Sequence, residues 1–167
     1  GNNGNNGNNG NNDIYTKVTE NYRINIPFNN LSNNIFNLLE RTLKKNIEQK
    51  CHNNGYIKKN SVKLIAHSTG ELNGSNVIFN LIYQCYIANP VESMILECKV
   101  SSITKVGIRA ILNVKEDEDS PYIIFVARDH HYDNEIFSKI NIDDIINVKV
   151  LGKRFELYDE YISIISE

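Results

Sequence analysis

The densest run of chemically capable side chains in the sequence is Arg128-Asp129-His130-His131-Tyr132. Arg and His can pair with phosphate and a Tyr ring can stack on a base, while His is also the usual general base and metal ligand. Adjacency works against a metal here, because neighbours on an extended chain point to opposite sides and cannot both reach one ion. His52 and His67 are distant in sequence and bring no Cys or carboxylate at ligand spacing. Glu116-Asp117-Glu118-Asp119 lacks the Gly and the terminal Glu of a calcium loop, and reads as a solvated hairpin tip. No phosphate-cradling Gly loop with Lys, nucleophile elbow or HExxH occurs. Gly70-Glu71-Leu72-Asn73-Gly74 is a turn without a following Lys-Ser/Thr. The expectation is a chain that is not an enzyme and takes no metal and no cofactor. A small nuclease built on His130 and His131 is the enzymatic alternative.

Cys51, Cys85 and Cys98 are odd in number and form no CxxC pair, which predicts buried thiols in a reducing compartment. With 41% hydrophobic and 23% charged residues, the 167-residue chain can bury a core as one domain or two small ones. No apolar run approaches the roughly 20 residues that span a bilayer, and no secretory signal is expected. Asn and Ile are over-represented, which weakens any argument from a single Asn.

These residues need elements to hold them. Residues 1–12 are four Gly-Asn-Asn repeats with nothing apolar to bury, predicting a flexible arm. Residues 14–27 alternate around Tyr15, Val18, Tyr22, Ile24 and Ile26 as one strand or two short ones, ended by Pro27. Ile35, Leu38, Leu39, Leu43 and Ile47 then form one helical stripe, with Ser32 as N-cap and Gly55 just past the end. A short strand around Val62, Leu64 and Ile65 follows, then a turn over 68–75. A long strand over 77–87 is apolar on both faces and so predicts cover on both sides. Asn89-Pro90 breaks it, placing a domain boundary between 13–90 and 91–167.

The second half divides into five strands, 94–103, 108–114, 122–127, 145–155 and 161–165, with a helical insert around 135–140 and a turn at 157–160. That series predicts a small Greek-key barrel of the OB type. The fold class expected overall is α+β.

The order of strand, helix, Gly55-Tyr56-Ile57, long strand and Asn89-Pro90-Val91 opening a barrel resembles the stalk subunit of multisubunit DNA-directed RNA polymerase. This is the seventh-subunit family of eukaryotic polymerase II, called E-prime in archaea. The likeness runs from Ile14 to Glu167. The phrase from Pro90 to Val100, followed by Thr104 to Arg109, is similar to the start of the family's S1-like barrel. The family usually has Gly where Ser93 stands, and S1 barrels often carry an aromatic near Ile108. The resemblance implies a tip, or RNP-like, docking domain over 13–90 and an OB barrel over 91–167. It also implies polymerase core subunits as partners, together with a fourth-subunit-like stalk partner and nascent single-stranded RNA. The segments matching the family's polymerase interface are 14–28, the turn at Gly55-Tyr56-Ile57 and the loop 68–75, with Tyr22, Phe28, Tyr56 and Ile57 as anchors. The RNA face of such a barrel would draw on Lys99, Lys105, Arg109, Phe125, Arg128, His130, His131, Tyr132, Lys149, Lys153 and Arg154.

Charge qualifies the RNA contact. Residues 13–90 hold nine basic and five acidic side chains, and 91–167 hold nine and fifteen, so counterion release predicts weak, salt-sensitive, sequence-independent binding by the barrel. The expected setting is intracellular: the nucleus, or a virion and cytoplasmic replication site for a divergent copy from a large DNA virus. A free-standing RNA-binding adaptor of translation or RNA processing is the alternative reading.

Overall fold

The computed structural model describes residues 14–115, 118–127 and 138–167. The Gly-Asn-Asn arm, Arg128, His130, His131, Tyr132 and the first half of the expected helical insert, 135–137, lie outside them. The described residues form a mixed α+β protein with one α-helix, one six-stranded sheet and a closed five-strand barrel. The chain divides into two compact units, Thr16–Asn89 with Phe155–Ile162, and Pro90–Arg154 with Ser163–Glu167.

In the first unit, one long strand organises the sheet. Strand β6 (Asn76–Ala88) pairs with β1 (Tyr15–Pro27), and successive stretches of it take β5 (Glu71–Asn73), β4 (Lys63–His67) and β3 (Gly55–Ile57), with β2 (Cys51–His52) beyond β3. The registers Leu72↔Val77, Leu64↔Tyr83 and Tyr56↔Ala88 mark the three pairings along β6. Residues 71–73, expected within a turn, are thus a strand, and the turn proper closes at Gly74 and Ser75. Helix α1 (Ile35–Ile47) lays Leu39, Leu43 and Ile47 on one face of the sheet, against Ile24, Ile26, Val77, Phe79, Leu81 and Tyr83. Each fully buried aliphatic side chain contributes about 1.5–3 kcal/mol relative to exposure. The odd-numbered residues of β6 fill this core. On the opposite row Ile82 and Tyr86 are each 42% exposed, so that part of the face expected to be covered is open.

The helix ends differ from expectation. Asn34, adjacent to the first turn, is the N-cap and accepts from the Asn37 N–H at 3.2 Å, while the Ser32 hydroxyl donates to the Asn34 carbonyl. At the other end Glu48 turns extended and Gln49 takes φ 58. Gly55 opens β3 instead of ending the helix: at φ 140, a side chain there would strike the Ala88 carbonyl.

Segment 155–162, expected with the barrel, belongs to the first unit. Strand β2 is the last of its sheet, so its outer backbone groups need partners. The Cys51 N–H donates to the Asp159 carbonyl and the Tyr158 N–H to the Cys51 carbonyl, both at 2.7 Å.

The second unit is the barrel. Strands β7 (Ile95–Ile103), β8 (Gly107–Leu112), β9 (Tyr122–Ala127), β10 (Ile145–Arg154) and β11 (Ile162–Ser166) close in the order β7-β8-β9-β11-β10. The closing pair is β10 with β7, from Ile145↔Lys99 to Lys149↔Ile95. Alternate residues turn inward: Leu96, Cys98 and Val100; Ile108, Ala110 and Leu112; Tyr122, Ile124 and Val126; Val148 and Val150 are all at most 5% exposed. The turn into β7 is closed by the Met94 N–H donating to the Val91 carbonyl, with Ser93 at φ 73. No helix of the described residues is long and apolar enough to cross a membrane.

Candidate nucleic-acid interface

Because inward and outward residues alternate, β8 and β9 must present Arg109, Ile111, Ile123 and Phe125 on the barrel's outer surface. Arg109 stands directly opposite Phe125 across the pair, and its guanidinium lies 5.9 Å from the centre of the ring. At this exposed site the cation–π contact is worth about 0.5–1 kcal/mol. It aligns a planar cation with an aromatic face that is 44% exposed. The bulge between Val100 and Ser102 in β7 turns the Ser101 hydroxyl onto the Arg109 carbonyl at 2.9 Å, fixing the backbone beneath the arginine.

Lys99 projects from β7 opposite Ile111, with its ammonium 3.8 Å from an Asp143 carboxylate oxygen. Both side chains are well exposed, so this pair is screened and contributes at most about 1 kcal/mol. Lys105 sits in the β7–β8 turn, where the Thr104 N–H donates to the Gly107 carbonyl and the Val106 N–H to the Thr104 hydroxyl. The turn holds Val106 outward, 80% exposed. Lys99, Lys105, Arg109 and Phe125 therefore fall on one connected set of strands, β7, β8 and β9.

The remaining cations lie elsewhere. Lys149 is on β10 opposite Ile95. Lys153 stands opposite Ile164 and its ammonium donates to the Pro90 carbonyl at 2.7 Å, so its charge holds the entrance of the barrel chain. Arg154 is opposite Ser163, across β10–β11. Sequence reasoning missed Val106 and the outward Ile165 of β11, 56% exposed; their only signal was an apolar residue at an outward position of a strand or turn.

Of the five expected interface residues, three are consumed by the first unit itself. Gly55 is buried, and Tyr56 and Ile57 are 3% and 1% exposed, because β3 lies between β2 and β6 and is covered there. Their side chains are core, not anchors. Tyr22 is partly buried, with its hydroxyl 3.2 Å from that of Tyr158 and its ring 5.8 Å from His52. Burial first, then the Tyr158 contact, pushes the Tyr22 phenol up to about 12; burial lowers His52, partly opposed by Glu20. Phe28 alone of the five is open to solvent, 56% exposed, on a short 3-10 turn whose N–H donates to the Ser75 carbonyl at 2.9 Å. This bond brings Phe28 to the β5–β6 turn, where Leu72 is 70% exposed.

The structure redistributes charge as well. With 155–162 counted in the first unit, that unit carries nine basic and seven acidic residues, and the barrel segments from Pro90 onward nine and twelve, Asp13 being the one acidic residue before them both. The barrel is less acidic than its sequence segment indicates. Among the described residues no three His, Cys, Asp or Glu side chains converge as a metal site. Compared with known protein families and with curated proteins, the sequence matches none.

Proposed function

We propose that the chain is a non-catalytic stalk subunit of a DNA-directed RNA polymerase, docking through its first unit and touching emerging RNA with an OB-type barrel. The observation that carries this reading is the barrel's strand order. Counted from β7, the strands close in the order first, second, third, fifth, fourth, and Arg109 and Phe125 lie on the second and third, the strands with which OB barrels hold single strands. Ser93 adds support: its left-handed φ of 73 is the backbone conformation that explains the glycine the resembled family has at this position. Phe28 and Leu72 supply the exposed apolar tip for docking. Such a subunit acts mechanically, by binding one polymerase conformation more tightly than another.

The test is a tagged pull-down with mass spectrometry from the native source. The two large polymerase subunits are expected among the partners, and to be lost with Phe28→Asp/Leu72→Asp; their absence from the wild-type capture overturns the reading. One observation favours the rival, a free-standing RNA-binding adaptor: Tyr56 and Ile57 are spent inside the fold. The adaptor predicts a soluble monomer that binds RNA and captures no polymerase.

A further inference from the structure

The face of the first unit's sheet opposite α1 has a composition unlike an unfinished core. From β1 it presents Lys17, Thr19, Asn21, Arg23 and Asn25, all exposed, while Ile24 and Ile26 turn inward to the helix. From β6 it presents Asn80, Ile82, Gln84 and Tyr86. From β4 it presents Lys63, registered opposite Gln84, and Ala66, opposite Ile82.

The surface is concave. A hollow of about 590 Å³ is lined by Asn21 and Arg23 on one side, Asn80 and Ile82 on the floor, and Ala66 and Ser68 on the other side. That volume falls within the roughly 300–1,000 Å³ of small-ligand sites. Ser68 is fixed there by two contacts, its N–H donating to the Asn80 carbonyl and its hydroxyl accepting from the Asn80 N–H, both at 2.9 Å.

Charge selects the occupant. Along these rows stand Lys17, Arg23 and Lys63, and one carboxylate, Glu71, sits at the β5 end opposite Ile78. The cations flank a strip whose middle carries Ile82 and Tyr86, each 42% exposed, among amide side chains. A protein partner would ask for a desolvated apolar centre depleted of charged residues, Lys among them. Cations at the margins, a flat aromatic within and amides between are the parts that hold phosphates, stack a base and bond its edge. We infer that this open sheet face binds single-stranded nucleic acid, with Arg23, Lys17 and Lys63 on the phosphates and Tyr86 and Ile82 against a base. The site lies on a different unit from the Arg109–Phe125 face and does not rest on that reading.

The experiment is fluorescence anisotropy of the full chain with a labelled 12-nucleotide oligouridylate between 50 and 200 mM salt. Removing two phosphate contacts with Arg23→Ala/Lys63→Ala should weaken binding at least tenfold at 50 mM salt. It should also reduce the slope of log affinity against log salt by about 1.4, at roughly 0.7 per phosphate on a single strand. Tyr86→Leu should weaken binding at least fivefold and abolish an ultraviolet cross-link to the peptide containing residue 86. Unchanged circular dichroism and urea midpoints establish that these surface variants are folded.

Wild-type affinity and slope in the double variant, or cross-links confined to barrel peptides, overturn the inference. So does a double variant that keeps oligouridylate but loses a protein partner, since the face would then be a protein surface. Arg109→Ala/Phe125→Ala is the parallel arm. A loss there alone removes the sheet site and leaves the barrel reading standing, and a loss in the sheet variants alone does the reverse.

Discussion

Tyr83 sits at the centre of the first unit with no accessible surface, and its hydroxyl makes no hydrogen bond with the described residues. Burial raises its phenol well above the ordinary tyrosine range, with Cys85 and Glu20 adding to the effect. A buried hydroxyl without a partner costs about 1–3 kcal/mol, whereas the ring around it contributes the packing of a large aromatic. Tyr83→Phe keeps the ring and removes the stranded oxygen. Urea denaturation of this variant should give a midpoint equal to or above wild type, by up to about 1 kcal/mol in stability. A loss of more than about 1 kcal/mol would mean that the hydroxyl has a partner that holds it. Residues such as Tyr56 and Ile57 carry the complementary lesson: aromatic and β-branched types suit an interface and a core equally well, and only burial separates the two.

Elements whose hydrophobic period is set within one segment were readable in advance. The stripe from Ile35 to Ile47 located the body of α1, because one face of a helix is written in consecutive turns, although the caps fell at Asn34 and Glu48 and not at Ser32 and before Gly55. The five barrel strands were legible to within a few residues for the same local reason. The partners of short edge strands were not, since β2 is completed by Tyr158 and Asp159, more than a hundred positions away. Nor could alternation say which cations share a face: the barrel register sets Lys153 on β10, with its ammonium donating to the Pro90 carbonyl, apart from Lys99 and Arg109 on β7 and β8. Between these extremes lies the turn into β7. Its residue types are ordinary, yet Ser93 is held at φ 73, a conformation that costs a residue with a Cβ roughly 1–2 kcal/mol. Ser93→Gly should therefore raise stability by about 1 kcal/mol in urea denaturation, less the extra chain entropy of glycine. Ser93→Val, branched at Cβ, should lower it by more than that. Identical midpoints for all three would show that the turn relaxes to negative φ in solution.

At the scale of the molecule, both units bury ionisable thiols. Cys51 and Cys85 lie in the first unit and Cys98 in the barrel, and none is more than 1% exposed. All three are free. Burial is the leading cause that pushes each thiol from 9.0 up to about 12, helped by Asp159 near Cys51, by Glu20 and Glu48 near Cys85, and by Glu97 near Cys98. A thiol is neutral when protonated, so the folded chain keeps its protons where the unfolded chain has begun to lose them. Stability then falls with rising pH, because the unfolded state binds fewer protons over that interval. The contribution is fully present below about 9 and is lost between 9 and 12. The urea midpoint should hold steady from pH 7 to 8.5 and drop progressively by pH 10.5. At pH 8 the native chain should react with no equivalent of Ellman's reagent, and with three in denaturant, since only an accessible thiolate attacks. Prompt reaction of even one native thiol would place that cysteine at the surface. A midpoint flat to pH 10.5 would mean that the folded interior shares its water with the thiols in both units.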